Sequence, residues 1–77
     1  DQKAVLLILD DLAGRDTASV NELLAMLKGA SPFDDRERLL RVLSLLERDH
    51  YLKRDEDGRF RFQFPLIRRW WKINRGL

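Results

Sequence analysis

Asp57-Gly58-Arg59-Phe60-Arg61-Phe62-Gln63-Phe64-Pro65-Leu66-Ile67-Arg68-Arg69-Trp70-Trp71 is the stretch that decides the architecture of this chain. Asp-Gly is a strong signal for a hairpin turn, because glycine accepts the positive φ that a tight turn demands. Period-two alternation then places Phe60, Phe62 and Phe64 on one strand face, toward the core, and Arg59, Arg61 and Gln63 on the other. Pro65 removes a ladder donor and ends the strand, and it suits the first turn of a helix. In that helix Leu66, Ile67, Trp70, Trp71 and Ile73 are expected to form a covering face, with Arg68, Arg69, Lys72 and Arg75 in water. Tyr51-Leu52-Lys53-Arg54, ahead of Asp55-Glu56-Asp57-Gly58, supplies the other strand. Lys53–Arg54 is expected to pair with Arg59–Phe62.

Three helical segments precede the hairpin. Lys3 to Leu12 carries apolar residues at 4, 5, 7, 8, 9 and 12, the pattern of a largely buried helix that ends near Gly14. Ser19-Val20-Asn21-Glu22 is a capping box, in which the serine oxygen accepts an early backbone N–H and the glutamate reaches back. It opens a second helix with Val20, Leu23, Leu24 and Leu27 on one face, and Gly29 is expected to stop it. Pro32 prevents continuation. Asp34-Asp35-Arg36-Glu37 then starts a third helix, with carboxylates at the positive end of its dipole. Leu39, Val42, Leu43 and Leu46 follow the i, i+3, i+4, i+7 spacing that faces a core. The order is three helices, a β-hairpin wing and an extra C-terminal helix. That order is expected to give an α+β winged helix-turn-helix, with residues 1–77 as one such domain. The chain is read as a piece of a longer protein.

Composition narrows the function. Seventy-seven residues with 44% hydrophobic content fit a single small core. The longest apolar run, Ala4 to Leu9, is far too short to span a membrane. With no cysteine there is neither a disulfide framework nor a thiolate metal site, and the cytoplasm is the expected compartment. A prokaryotic source fits the resemblance described below. Catalysis is set aside, since one histidine, no cysteine and no glycine-rich phosphate loop leave no nucleophile–base pair and no nucleotide cradle. His50, between the third helix and the hairpin, reads as a capping or surface residue. Asp10-Asp11 and Asp34-Asp35 diverge on their helices and read as solubility and dipole features. No metal or cofactor is implied.

Charge is uneven. Residues 1–51 hold seven Lys/Arg against ten Asp/Glu, a net of −3, and residues 52–77 hold eight against three, a net of +5. Any anionic partner is therefore expected at the wing and tail. On the third helix Arg38, Arg41, Leu45 and Arg48 share one strip. From there arginines can reach phosphates or base edges, or the strip can be a solvated face with a Glu37–Arg41 ion pair. Leu40 and Leu45 are awkward residues for a groove-facing surface. Trp70-Trp71 admits core covering, stacking on a base, or packing on a partner domain. An interfacial membrane helix is set aside because the segment is short and its apolar residues are needed by the wing.

Residues 61–71, Arg-Phe-Gln-Phe-Pro-Leu-Ile-Arg-Arg-Trp-Trp, resemble the junction between wing and last helix in winged-helix domains that follow P-loop ATPase cores. Those ATPases are of the STAND type or are related prokaryotic AAA+ proteins. Asp34 to Leu52 is similar to the third helix and first strand of winged helices generally. The resemblance implies an ATPase-associated regulatory role. Many STAND proteins carry a Met-His-Asp-Leu-like motif here, whose histidine senses bound nucleotide. Gln63-Phe64-Pro65-Leu66 departs from it, with phenylalanine in place of the histidine and proline in place of the aspartate. Phe64 cannot hydrogen-bond a phosphate.

Two functional readings follow. In the first the domain binds double-stranded DNA, with Arg38, Arg41 and Arg48 on the third helix, Arg59 and Arg61 on the wing, and Arg68, Arg69 and Lys72 behind it. In the second it is a regulatory or protein-interaction domain that docks on an adjacent ATPase domain, or on a second copy, through Leu40, Leu45, Trp70 and Trp71. The basic tail favours DNA. Asp34, Asp35 and Glu37, at the start of the would-be recognition helix, count against it.

Overall fold

The computed structural model describes residues 2–30 and 35–77. Helix α1 spans Gln2–Arg15, α2 Val20–Ala30 and α3 Arg36–Arg48; strands β1 (Leu52–Arg54) and β2 (Phe60–Phe62) follow, then helix α4 (Pro65–Arg75). The fold is α+β, four helices with a two-stranded antiparallel hairpin in the register Leu52↔Phe62, Lys53↔Arg61, Arg54↔Phe60. Pro32 and Asp34, read above as helix punctuation, lie outside the described residues.

Local chemistry sets most boundaries. The Ser19 backbone N–H donates to Glu22 Oε1 at 2.9 Å, and the Glu22 N–H donates to Ser19 Oγ at 3.1 Å, so the capping box forms as its spacing dictates. Asp35 caps α3 by accepting the Arg38 N–H at 3.2 Å. At the far end of α3, His50 takes φ +64°. His50 N–H then reaches Glu47 O and Tyr51 N–H reaches Leu46 O, the paired bonds of a Schellman stop, here with histidine where glycine is usual. Gly58, at φ +78°, closes the hairpin turn, and Asp55 Oδ1 accepts the N–H groups of Asp57 and Arg59. Gly29 does not stop α2, which continues to Ala30; its position inside the last turn leaves it no terminating role.

The core forms where α1, α2, α3 and the hairpin meet. Ile8 and Leu12 of α1, Leu23 and Leu27 of α2, Leu39 and Leu43 of α3, with Leu52 and Phe60, are fully buried, and the strip Leu39, Val42, Leu43, Leu46 faces inward as its spacing requires. An isolated bridge adds the segment before α2 to the hairpin edge. Phe60 N–H donates to Ala18 O at 2.8 Å, and Ala18 N–H donates to Phe60 O at 3.0 Å.

Two expectations fail at the C-terminal end. Phe64 is 51% exposed, because β2 ends at Phe62 and the extended backbone of Phe64 serves as the N-cap of α4. Nor does α4 form the expected covering face: Trp71 packs against the core, but most of the helix's other apolar residues stay in water. Leu66 is 77% exposed, Ile73 72% and Trp70 58%, and none of the helix's residues is fully buried. Helix α4 lies against α1 instead, running antiparallel to it, with Arg68 near Asp16 and Arg75 near Asp10.

Candidate interaction surface

Asp10 holds α4 in place. Its Oδ1 accepts the Trp71 indole N–H at 2.7 Å, and Arg75 donates Nε and Nη2 to the two carboxylate oxygens at 3.0 Å each. The Arg75 guanidinium also lies 5.9 Å from the Trp71 ring centroid. This charge-assisted fork holds the Asp10 carboxyl below its ordinary value, with Arg75 the larger cause and the indole N–H the smaller. Asp10 is therefore a docking residue and not a solubility feature, and Arg75 is engaged rather than free in water. Asp11 pairs within its own helix, with Arg15 at 3.0 Å. Trp71 is half-buried by this clamp and packs against the core, while Trp70, about 100° further round the helix, points away.

The arginines expected to grip DNA divide into two groups. Those of the hairpin are engaged by the fold itself. Arg59 donates to Thr17 Oγ1 at 3.0 Å and pairs with Glu22 at 2.8 Å. Arg61 pairs with Asp55 at 3.3 Å; Arg54, outside the expected set, pairs with Glu47 at 3.2 Å while stacking over Phe60. Two of these carboxylates, Glu22 and Asp55, respond. Glu22 is lowered chiefly by the Ser19 backbone N–H, with Arg59 and Arg15 adding to it, and Asp55 is lowered by the Arg59 backbone N–H first. The polar hollow at the wing tip, about 460 Å³, is lined by Lys53, Arg54 and Arg61 but also by Asp55, Glu56 and Asp57, and those carboxylates would repel a phosphate.

The second group lies on helices. Arg38, Arg41 and Arg48 are exposed on α3, and Arg69 is exposed on α4 with Lys72 half-buried beside it. Arg41, Arg48, Arg69 and Lys72 have no carboxylate partner among the described residues, and the expected Glu37–Arg41 pair does not form. Arg68 is half-buried at the α1 end, 3.8 Å from Asp16, and is not in open water.

The apolar candidates lie closer together than their sequence positions suggest. Leu45, 46% exposed, lines a hollow of about 310 Å³ with Leu6 of α1, Tyr51 and Trp71. A second hollow of about 430 Å³ is walled by Tyr51, Leu66, Ile67, Trp70 and Trp71. Tyr51 and Trp71 line both, so the two hollows adjoin across these rings and form an apolar groove in two parts, from the α1–α3 edge to the outer face of α4. Leu40 is exposed but lines neither hollow. Sequence reading missed Tyr51 and Leu6. Tyr51 was assigned to the strand; it stands instead as the second residue past the α3 stop, which swings its ring into the groove.

Among the described residues no group of three or more His, Cys, Asp or Glu could hold a metal ion, and no helix is long and apolar enough to cross a membrane. Comparison with family models, curated proteins and solved structures finds no match.

Proposed function

We propose that this chain is a non-enzymatic winged helix-turn-helix module that docks on another protein domain through the apolar groove between α1, α3, Tyr51 and α4. The order of elements and the hairpin packed on three helices support the winged-helix assignment. The observation that carries the docking reading is the outward stripe of α4, with Leu66, Trp70 and Ile73 each more than half exposed on a helix held from behind by the Asp10–Trp71–Arg75 clamp. Contiguous apolar surface of this kind, bordered by polar residues, marks an interaction site. Aromatic residues and arginine are the usual anchors of such sites. The resemblance to domains that follow P-loop cores makes an adjacent ATPase domain the first candidate for the docked surface.

Hydrogen exchange of the 77-residue chain, alone and with an added P-loop ATPase domain, tests this. Extra protection over residues 45–51 and 66–73 in the mixture is the expected result. Leu45→Asp should remove that protection without lowering the melting temperature of the isolated chain. If Leu45→Asp unfolds the chain, Leu45 belongs to the core and the docking surface is wrongly drawn.

DNA binding by α3 is the second reading, favoured by one observation: Arg41 and Arg48 are exposed and unpaired on its outer face. It requires duplex affinity that falls steeply with salt and a sequence preference that changes in Arg41→Ala. No detectable association at low salt would eliminate it.

A further inference from the structure

The rim of the groove indicates what kind of chain lies in it, an inference that rests on the docking reading above. Arg41 and Arg48 flank Leu45 one turn either way on α3, Lys3 precedes Leu6 by one turn on α1, and Arg69 follows Leu66 by one turn on α4. All four are exposed and, among the described residues, have no carboxylate partner. The two hollows contain a single lining carboxylate, Asp49. Helix α4 has no acidic residue at all. Basic residues without a carboxylate partner among the described residues thus stand one turn from the apolar lining on α1, α3 and α4, against the one lining carboxylate, Asp49.

We infer that the groove takes an acidic amphipathic helix of the partner, with apolar side chains in the two hollows and Asp or Glu facing Arg41, Arg48, Lys3 and Arg69. Helix in groove is an established recognition geometry, read by anchors at i, i+3, i+4 and i+7. The groove offers matching features. The exposed stripe Leu66, Trp70, Ile73 repeats at four and then three residues, the spacing of a seam between two helices. A second copy of this chain is a poor occupant, because a two-fold interface sets the same patch against itself and would bring like charges together. A membrane surface matches the charge but not the shape, since two hollows separated by Tyr51 and Trp71 receive side chains and not a flat lipid interface.

The test is selection on the 77-residue chain from a displayed library of helices about three heptads long. Leucine or phenylalanine is fixed on the apolar stripe, and the flanking positions are randomised among Glu, Gln and Lys. The expected result is enrichment of Glu over Lys at the flanks by about tenfold or more. Affinity of the selected helix should fall with added salt. It should also weaken roughly thirtyfold in Leu45→Asp or Trp70→Ala, the loss typical of an interface anchor, and about tenfold in Arg48→Glu. Flanks that come out neutral or basic would overturn the acidic partner while leaving protein docking intact. If no helix is enriched, the helical occupant is wrong. If, in addition, anionic phosphatidylserine vesicles or duplex DNA bind and Leu45→Asp or Arg41→Ala respectively abolishes that binding, the docking reading fails as well.

Discussion

Helices α3 and α4 are both amphipathic and both rich in arginine, yet the fold uses them in opposite ways. Helix α3 turns its apolar strip inward, and Leu39, Val42, Leu43 and Leu46 are buried. Helix α4 turns its apolar stripe outward and is fixed by a polar fork, Asp10 with Trp71 and Arg75. An amphipathic pattern states that one face must be covered; it does not state by what. In α3 the rest of the chain covers it. In α4 most of it stays exposed.

Substitutions should separate the two helices sharply. Leu43→Ala, which empties a fully buried site in α3, is expected to cost about 2–5 kcal/mol in a denaturant titration, a large fraction of the stability of a domain of this size. Ile73→Ala on the outer face of α4 should stay within about 0.5 kcal/mol. Equal costs would mean that α4 is part of the core and erase the contrast.

A smaller effect is expected at the clamp. Asp10→Ala leaves the Trp71 indole N–H without its partner and should cost about 1 kcal/mol, a charged hydrogen bond discounted for partial exposure. The loss should fall mainly on α4, seen as faster amide exchange over residues 66–75 while α3 is unaffected. Acid should produce the same loosening. The Asp10 carboxyl lies below its ordinary value of 3.8, so its contribution is complete above that value and is lost as pH falls through the lower folded one. Glu22 and Asp55 are lowered too, so the assignment needs a local probe. In a Trp70→Phe background Trp71 is the single indole, and its emission should change below about pH 3.8. Asp10→Asn should abolish that step. A step that survives the substitution belongs to another carboxylate.

The smallest effect is expected at the α3 stop. His50 at φ +64° adopts a conformation that glycine tolerates better, and His50→Gly should raise stability by about 0.5 kcal/mol, the steric relief partly offset by the freer unfolded chain. A loss instead would show that the imidazole contributes a contact of its own.

The parts of this fold that were legible in the sequence are those governed by local rules. Ser19 and Glu22 are three residues apart and need only each other. Asp57-Gly58 needs only its own turn, and the α3 strip needs only the helical period. The parts that were not legible depend on distant partners. Nothing near Asp10 announces an indole and a guanidinium more than sixty positions away. Arg59 and Arg61 read as outward because strand alternation is blind to Thr17, Glu22 and Asp55. Phe64 followed the alternation of Phe60 and Phe62 on paper, but Pro65 had already turned the chain into a helix. The candidate site was half legible for the same reason: Leu45, Trp70 and Trp71 were recognisable as surplus apolar surface, whereas Tyr51 and Leu6 join them only in three dimensions.

The Ala18–Phe60 bridge has a mechanical consequence. A hairpin anchored only through the end of α3 would pivot at Tyr51, and its tip would swing independently of the helical body. Two backbone hydrogen bonds between Ala18 and Phe60 add a second attachment on the opposite edge, and a plate fixed along two edges resists rotation. Force applied at the hairpin tip would therefore be carried into the corner between α1 and α2 as a rigid displacement, not absorbed by a swinging flap.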